Sequence, residues 1–312
     1  MEQKGVCVFD LDNTLGDFRI IDFFGLLYEP TCILGFPDIS KDQYNELKKN
    51  MEYTLKVKES LQNLRDSFEE ALDKNGYNKY MLRPKLKDIL SPLVKQYKNN
   101  KVIGFIIYSN NANKYALEYA GRTIQRIFNE PDLFIHYIDR KNSIRDEFDS
   151  KDGEGYRTKT LNTIKKAAPQ IKDEKILFMD DLVHDDLMNS NITYVHLPTF
   201  TSNVGNDELP NIWDLFLSVL NKYPDLVLPN LYHVNTYLKC NNMEDIKNRY
   251  LSYSKMNEHD EFQKNTFQEN LTNIKSKIAQ FVNSSKGGKR KTRRFKTSRK
   301  KAHKRKYENT IE

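Results

Sequence analysis

Three side chains able to bind a metal ion or an anion follow a short apolar run near the start of the chain. The segment GVCVFDLDNTL, residues 5–15, contains Asp10, Asp12 and Thr14. Two carboxylates this close repel each other, and removing them from water is costly unless a cation joins them. Hard cations such as Mg²⁺ prefer oxygen ligands of this kind. The spacing therefore predicts a magnesium site directly after a buried strand.

Polar residues also end two later apolar runs. The run EKILFMD ends with Asp180, which Asp181 follows, and KVIGFIIYS ends with Ser109, which Asn110 follows. In a parallel α/β sheet, ligands bind at the carboxyl ends of the strands. If these strands are neighbours, carboxylates from two of them meet at one point, beside a hydroxyl and an amide that can hold an anionic oxygen.

Phosphoryl transfer fits this set of side chains. A carboxylate can attack phosphorus and form an aspartyl-phosphate, and Mg²⁺ reduces the repulsion between nucleophile and phosphate. A second carboxylate can protonate the leaving oxygen and then activate water. A lysine would complete the groups that bind phosphate. Lys159 lies at the start of a predicted helix upstream of the EKILFMD run, with Lys165 or Lys166 as alternatives.

Five short apolar runs alternate with helical patterns along the chain. Each run is continuously apolar, which is typical of strands buried on both faces of a parallel sheet. Helical patterns fill residues 84–98, 112–128 and 157–168 between the runs. This alternation predicts an α/β fold with a parallel sheet. The predicted strands lie in residues 5–9, 101–109, 132–138, 174–180 and 192–197.

Two further segments do not fit this alternation. Residues 41–75 and 256–282 have apolar residues spaced by three and four, which predicts amphipathic helices. Both can pack on the sheet, and the first can instead form a mobile cap over the site. The predicted organisation is a catalytic domain at 1–230 with a helical insertion or cap at about 38–80, a helical extension at 231–283, and a disordered basic tail at 284–312.

Positive charge is concentrated in the tail. Of the 50 Lys and Arg residues in the chain, 13 lie in residues 286–306, which contain no acidic residue. Residues 1–285 carry 37 basic and 41 acidic residues and are therefore slightly acidic. Such a polycation can bind nucleic acid non-specifically and with strong salt dependence. A nuclear-localisation signal and a solubilising tail are the alternatives.

Composition narrows the class of protein. No run approaches the roughly 20 apolar residues of a membrane helix, and the N-terminus lacks the pattern of a secretory signal. The scattered Cys7, Cys32 and Cys240 fit neither a disulfide framework nor a zinc site. We therefore expect an intracellular protein without membrane association. His184 is expected in a surface loop and Trp213 in a core.

The motifs, in this order, resemble the haloacid dehalogenase (HAD) superfamily of aspartate-dependent phosphatases. That superfamily has D-x-D-x-T after a first strand, then a strand-ending Ser or Thr, a Lys, and an acidic strand end. The resemblance covers residues 5 to about 200. It implies a sheet in the order 5-4-1-2-3 with helices on both faces. The matching residues are Asp10, Asp12, Thr14, Ser109, Lys159 and Asp180, with Asp181 or Asp185 as the second acid.

The resemblance also implies a role for each matching residue. Asp10 would be the nucleophile and a metal ligand. Asp12 would be the general acid and base, and would bind the metal through its backbone carbonyl. Thr14 would orient the loop. The remaining implied assignments are Ser109 and Lys159 for the phosphate, and Asp180 and Asp181 for Mg²⁺.

Three segments are similar to one branch of this superfamily, the RNA polymerase II C-terminal-domain phosphatases, or NLI-interacting-factor-like family. This similarity implies a phosphatase of Ser/Thr phosphoproteins, with phosphorylated nucleic-acid ends and small molecules as alternative substrates. The tail resembles basic endings of giant DNA virus proteins, which implies host cytoplasm, host nucleus or virion. A non-enzymatic HAD-fold protein that binds nucleic acid or belongs to a virion is the other hypothesis. The three segments are LRPKLKDIL (82–90), IIYSNNANKYALEYAGRTI (106–124) and YIDR (137–140).

Overall fold

The computed structural model describes the central fold and parts of the helical segments. The strands are β1 (Gly5–Phe9), β2 (Val102–Tyr108), β3 (Phe134–Ile138), β4 (Ile176–Asp180) and β5 (Thr193–His196). The helices are α1 (Arg19–Tyr28), α2 (Lys58–Lys74), α3 (Asn78–Met81), α4 (Leu86–Lys98), α5 (Lys114–Phe128), α6 (Ser143–Phe148), α7 (Leu161–Ala167), α8 (Asp185–Met188), α9 (Glu208–Leu220), α10 (Met243–Ser254) and α11 (Asp260–Ser284). The described residues are 4–28, 58–150, 157–171, 175–188, 190–200, 202, 204, 207–223, 242–254 and 260–284.

The five strands form one parallel sheet in the order β3-β2-β1-β4-β5. Every residue of β1 and β4 is buried, as expected for continuously apolar strands covered on both faces. Successive side chains of a strand point to opposite faces. Phe9 accordingly belongs to a core shared with α1, α4, α5 and α9, whereas Val8 belongs to a second core with α7. The predicted α/β class, parallel sheet and strand order are confirmed.

The helical segment predicted at residues 41–75 is described from residue 58 onward. There α2 packs against α9. Its Phe68 is buried, with its ring edge-on to Phe24 and the ring centroids 4.8 Å apart. This part of the segment therefore belongs to the core. The rest of the predicted insertion or cap at about 38–80, up to residue 57, lies outside the described residues.

Trp213 on α9 is buried in the same aromatic group, as expected from the sequence. Its ring stacks with that of Phe24, and the ring centroids are 6.3 Å apart.

Helix α11 packs against α4 and β5. Phe281, in its last turn, lies so close to Gly5 that a Cβ at that glycine would be 2.9 Å from the phenyl ring. Gly5 is the first residue of β1, so α11 ends beside the amino edge of the sheet. The polar residues that close the strands lie at the other edge.

The predicted basic tail, from residue 285 onward, lies outside the described residues, as do residues 224–241 and 255–259. The predicted domain boundaries stay predictions. Among the helices that the structure describes, none is long and apolar enough to cross a bilayer.

Candidate active site

Three carboxyl groups meet where β1 and β4 end. Asp10 directly follows β1, and its backbone N–H donates to the carbonyl oxygen of Met179 at 2.9 Å, which fixes it beside β4. Asp180 is the last residue of β4, and Asp181 follows it. One carboxylate oxygen from each of the three aspartates lies within 4.8 Å of the others, and all three residues are buried. Adjacent parallel strands thus bring together the acids that the sequence placed at two strand ends.

Lys159 lies among these carboxylates and is almost completely buried. Its Nζ is 2.7 Å from Asp10 Oδ1 and 2.7 Å from Asp180 Oδ2. Burial alone would lower the pKa of this lysine, but the two carboxylates outweigh burial and raise it. Lys159 therefore carries a positive charge at neutral pH. Of the alternatives, Lys166 instead pairs with Glu147 at 3.5 Å, where both side chains are exposed.

The carboxylates suit a divalent cation. Asp10 Oδ1 is buried, and Lys159 Nζ at 2.7 Å is the charged group that contacts it. Three carboxylates against one ammonium leave an excess of negative charge, which a divalent ion would balance. Oxygen donors of this type bind hard cations. The three aspartates are therefore close enough, and chemically suited, to bind a metal ion.

The electrostatic environment differs among the three acids. Burial, opposed by Lys159 and reinforced by Asp180, raises the pKa of Asp10 to about 6. Burial would also raise the pKa of Asp180, but Lys159 and a hydrogen bond from His184 outweigh it and the pKa is lowered. The Asp10 anion is therefore less well stabilised than the Asp180 anion, which favours Asp10 as the nucleophile.

Thr14 holds Asp181 from two sides. Its Oγ1 donates to Asp181 Oδ1 at 3.0 Å and accepts from the Asp181 backbone N–H at 2.9 Å. Thr199 Oγ1 donates to Asp181 Oδ2 at 3.2 Å. The threonine that follows β1 therefore positions an acid that follows β4, which agrees with a role in orienting the site.

Asp12 lies outside the group of three carboxylates and is half-buried. Asn111 Nδ2 donates to Asp12 Oδ2 at 3.0 Å and to the two carboxylate oxygens of Asp22 at 3.0 and 2.9 Å. Burial, and then the charge of Asp22, raise the pKa of Asp12. A carboxyl group with a raised pKa keeps its proton closer to neutral pH and can act as a general acid. Metal binding through the Asp12 carbonyl stays a prediction.

Ser109 and Asn110 follow β2 beside β1. Ser109 Oγ accepts from the backbone N–H of Asn111 at 3.1 Å, so its own hydroxyl hydrogen can be donated elsewhere. Asn110 Oδ1 accepts from Arg145 Nη2 at 2.8 Å, which turns the amide so that its NH₂ can also donate. The Ser109 hydroxyl and the Asn110 NH₂ group can therefore both donate hydrogen bonds. That they bind phosphate stays a prediction.

Arg83, which the sequence analysis did not assign a role, fixes the loop after β1. Its Nε donates to the carbonyl oxygen of Thr14 at 2.6 Å, and its Nη2 donates to those of Asn13 and Pro198. Asn13 has a left-handed backbone with φ of 57°, a conformation that asparagine tolerates well. A buried guanidinium thus compensates three carbonyl groups of two neighbouring loops.

Arg145 is a second buried arginine without a sequence signal, and it is fully buried. Its Nη1 donates to the carbonyl oxygen of Ser109 at 2.7 Å, and its Nη2 donates to that of Thr158 at 3.2 Å and to Asn110 Oδ1. Its Nε donates to Asp149 Oδ2 at 2.5 Å. One side chain therefore joins the loop after β2 to the segment that carries Lys159.

Asp149 extends this network around the lysine. It accepts from the Tyr108 hydroxyl at 2.7 Å, from Thr160 Oγ1 at 3.0 Å and from Thr163 Oγ1 at 2.6 Å. Tyr108 is the last residue of β2, and Thr160 follows Lys159 directly. The position of the lysine relative to β2 is therefore set by a buried polar network.

His184 lies in a loop, as expected, but it is partly buried and contacts the site. Its Nε2 is 3.1 Å from Asp180 Oδ2, and its ring lies edge-on to Phe178. The turn after β4 returns to the strand end, which the sequence spacing does not show. Asp185, the alternative second acid, is exposed on α8 and does not belong to the group of three carboxylates.

No protein-family model matches the chain, and no curated protein matches it. The chemistry of the site therefore has to be inferred from its geometry.

Proposed function

We propose that the protein is a Mg²⁺-dependent phosphomonoester hydrolase that works through an aspartyl-phosphate on Asp10. The observation that carries the proposal is Lys159 Nζ, 2.7 Å from both Asp10 and Asp180. A site that only holds a cation gains nothing from a buried lysine among its carboxylates, because the two positive charges repel each other. In a site that binds a metal ion together with a phosphate, the metal ion and the lysine both stabilise the negative charge of the phosphate.

The residues fit the two steps of such a reaction. Asp10 attacks phosphorus, the bond from phosphorus to the leaving oxygen breaks, and Asp12 gives its proton to that oxygen. Asp12 then takes a proton from a water molecule, which attacks the phosphoryl group and releases phosphate and free Asp10. Lys159 and Ser109 bind the phosphoryl oxygens. Mg²⁺, bound by Asp10, Asp180 and Asp181, would reduce the repulsion between the nucleophile and the phosphate.

The resemblance to HAD phosphatases supports the same proposal. It assigns the nucleophile, the lysine and the acidic strand end to Asp10, Lys159 and Asp180, and the structure brings these three side chains into contact. We propose a Ser/Thr phosphoprotein as the substrate, in an intracellular setting. Phosphorylated nucleic-acid ends and small phosphate esters are the alternatives.

Metal removal tests the proposal. We expect the protein to hydrolyse p-nitrophenyl phosphate with Mg²⁺ and to lose this activity in EDTA, because the excess negative charge at the carboxylates would then repel the phosphate. Excess Mg²⁺ should restore the rate. Release of p-nitrophenol measures it. Turnover that persists after complete metal removal would contradict the proposed mechanism.

A second candidate function is nucleic-acid binding through residues 286–306, favoured by their 13 basic residues. Truncation before residue 286 should abolish DNA binding, because it removes the basic residues that contact the DNA phosphates. In the full chain, binding driven by such contacts should fall by about 10³-fold or more between 50 and 200 mM salt. Hydrolysis of p-nitrophenyl phosphate should be unchanged. Fluorescence anisotropy with labelled DNA measures the binding.

The matched control keeps the length of the tail and replaces its Lys and Arg residues with Gln. Loss of hydrolysis on truncation would show that the division into a catalytic body and an accessory tail is wrong. DNA binding by a folded protein that hydrolyses no phosphate ester would favour the non-enzymatic hypothesis.

A further inference from the structure

Large apolar side chains are exposed next to the candidate active site. Among the described residues, four large apolar side chains are exposed: Leu182, Val183 and Met188 at 51%, 57% and 47%, and Ile127 at 39%. The first three lie within seven residues of Asp181, and we call them the apolar rim. Single exposed apolar residues are ordinary, but several that closely follow a site residue in the chain favour an interaction surface.

The backbone beneath the apolar rim is held in place. The N–H of Leu182 donates to Asp180 Oδ1 at 2.8 Å, and its carbonyl oxygen accepts from the Tyr194 hydroxyl at 2.6 Å. The N–H of Met188 donates to the carbonyl oxygen of His184 at 2.8 Å. These side chains are therefore presented to solvent from a fixed turn, so little backbone order has to be gained when a partner covers them.

The apolar rim is within reach of a bound phosphoester. Leu182 directly follows Asp181, and consecutive Cα atoms are about 3.8 Å apart. An extended peptide advances about 3.3 Å per residue. When a phosphorylated residue has its phosphate at Asp10, its neighbours in the peptide can therefore reach Leu182 and Val183.

We propose that the apolar rim binds an apolar side chain next to the phosphorylated residue of a protein substrate. This inference rests on the proposed phosphatase function and narrows its substrate class. A phosphorylated protein supplies aliphatic side chains at this distance from its phosphate. A free phosphorylated amino acid does not.

Charge and side-chain type disfavour a nucleic-acid substrate at this surface. Asp185 and Asp186 are both exposed on α8, between Val183 and Met188. Their charges would repel the phosphodiesters that follow the terminal phosphate of a nucleic acid. The rim also lacks the aromatic or guanidinium groups on which bases stack. A peptide with an uncharged aliphatic side chain avoids both problems.

The test compares two phosphoserine peptides of equal length that carry either Leu or Asn on both sides of the phosphoserine. We expect the wild type to favour the Leu peptide by about 10-fold or more in kcat/KM, the discrimination typical of an apolar contact. The double variant Leu182→Asn/Val183→Thr should bring the ratio close to one. Phosphate release measures kcat/KM, and the ratio cancels any general loss of activity.

Ile127→Asn is the matched control. Ile127 is also an exposed aliphatic residue, but it lies near the carboxyl end of α5, whereas the amino end of that helix adjoins the site. At about 1.5 Å per residue it is about 20 Å away from the end nearest the site. The control should keep both activity and the preference for the Leu peptide.

Three outcomes would overturn the inference: equal rates on both peptides, a preference that survives in the double variant, or a rim-dependent preference for a 5′-phosphorylated oligonucleotide over both peptides. In each case, hydrolysis of p-nitrophenyl phosphate would show that the phosphatase function still stands. Absence of hydrolysis of every phosphate ester by the folded protein would overturn both.

Discussion

Replacement of Asp10 by Asn is expected to reduce kcat for p-nitrophenyl phosphate by about 10⁴-fold or more, the scale of loss when a catalytic nucleophile is removed. Asn has nearly the same shape but cannot form the acyl phosphate. Lys159 would retain its contact with Asp180, so the rest of the site should persist. Steady-state kinetics measure kcat, and mass spectrometry of acid-quenched enzyme detects the phosphoryl adduct in the wild type alone.

Stability distinguishes this chemical effect from unfolding. Burial raises the pKa of Asp10 to about 6, so ionised Asp10 destabilises the folded protein above that pH. In EDTA at pH 7, we therefore expect Asp10→Asn to unfold at a denaturant concentration no lower than the wild type. The difference should shrink as the pH falls from about 6 towards 4, where Asp10 takes up a proton in the folded state. A folded variant with near wild-type kcat would rule out Asp10 as the nucleophile.

Replacement of Arg145 is expected to cost both stability and activity. Arg145→Met removes hydrogen bonds to Ser109, Asn110 and Thr158 and leaves Asp149 as a buried charge without its cationic partner. Loss of one partner of a buried ion pair costs about 3 to 5 kcal/mol. Urea denaturation of the variant and of the wild type measures the free energy of unfolding.

Arg145→Lys tests the effect on catalysis with the charge retained. An ammonium group cannot span the loop after β2 and the segment before α7 as the guanidinium does. A displacement of about 1 Å between Ser109 and Lys159 would cost about 10²-fold in kcat. Arg122→Lys is the control, because Arg122 likewise hydrogen-bonds to a carboxylate, that of Glu69, and is not part of the network around Arg145. Equal losses of activity in the two variants would contradict a specific role for Arg145.

The sheet and the strand-end acids follow from local sequence. Continuous apolarity indicates the fully buried strands β1 and β4, and the position of Asp10 after β1 and of Asp180 at the end of β4 is visible in the sequence itself. Because parallel strands end at one edge, their meeting could be predicted once the two strands were taken as neighbours.

The two buried arginines could not be predicted in the same way. Arg83 and Arg145 lie in segments rich in Lys and Arg, and only the folded chain places their guanidinium groups against backbone carbonyls of the loops after β1 and β2. The same limit applies to His184, whose contact with Asp180 depends on a turn. Asn111, which bridges Asp12 and Asp22, had no pattern that distinguished it from its neighbours.

The contact of Phe281 with Gly5 would separate the two proposed activities in space. The chain continues into the basic segment from Ser284, beside the amino edge of β1, whereas Asp10 lies at the opposite edge, about 16 Å away along the strand. A polymer bound by the basic segment would therefore not need to cover the catalytic edge. Such an anchor would raise the effective concentration of the site near substrates carried on the same polymer. Salt concentration would then change the binding of the polymer, and metal concentration would change the rate of hydrolysis, each without the other.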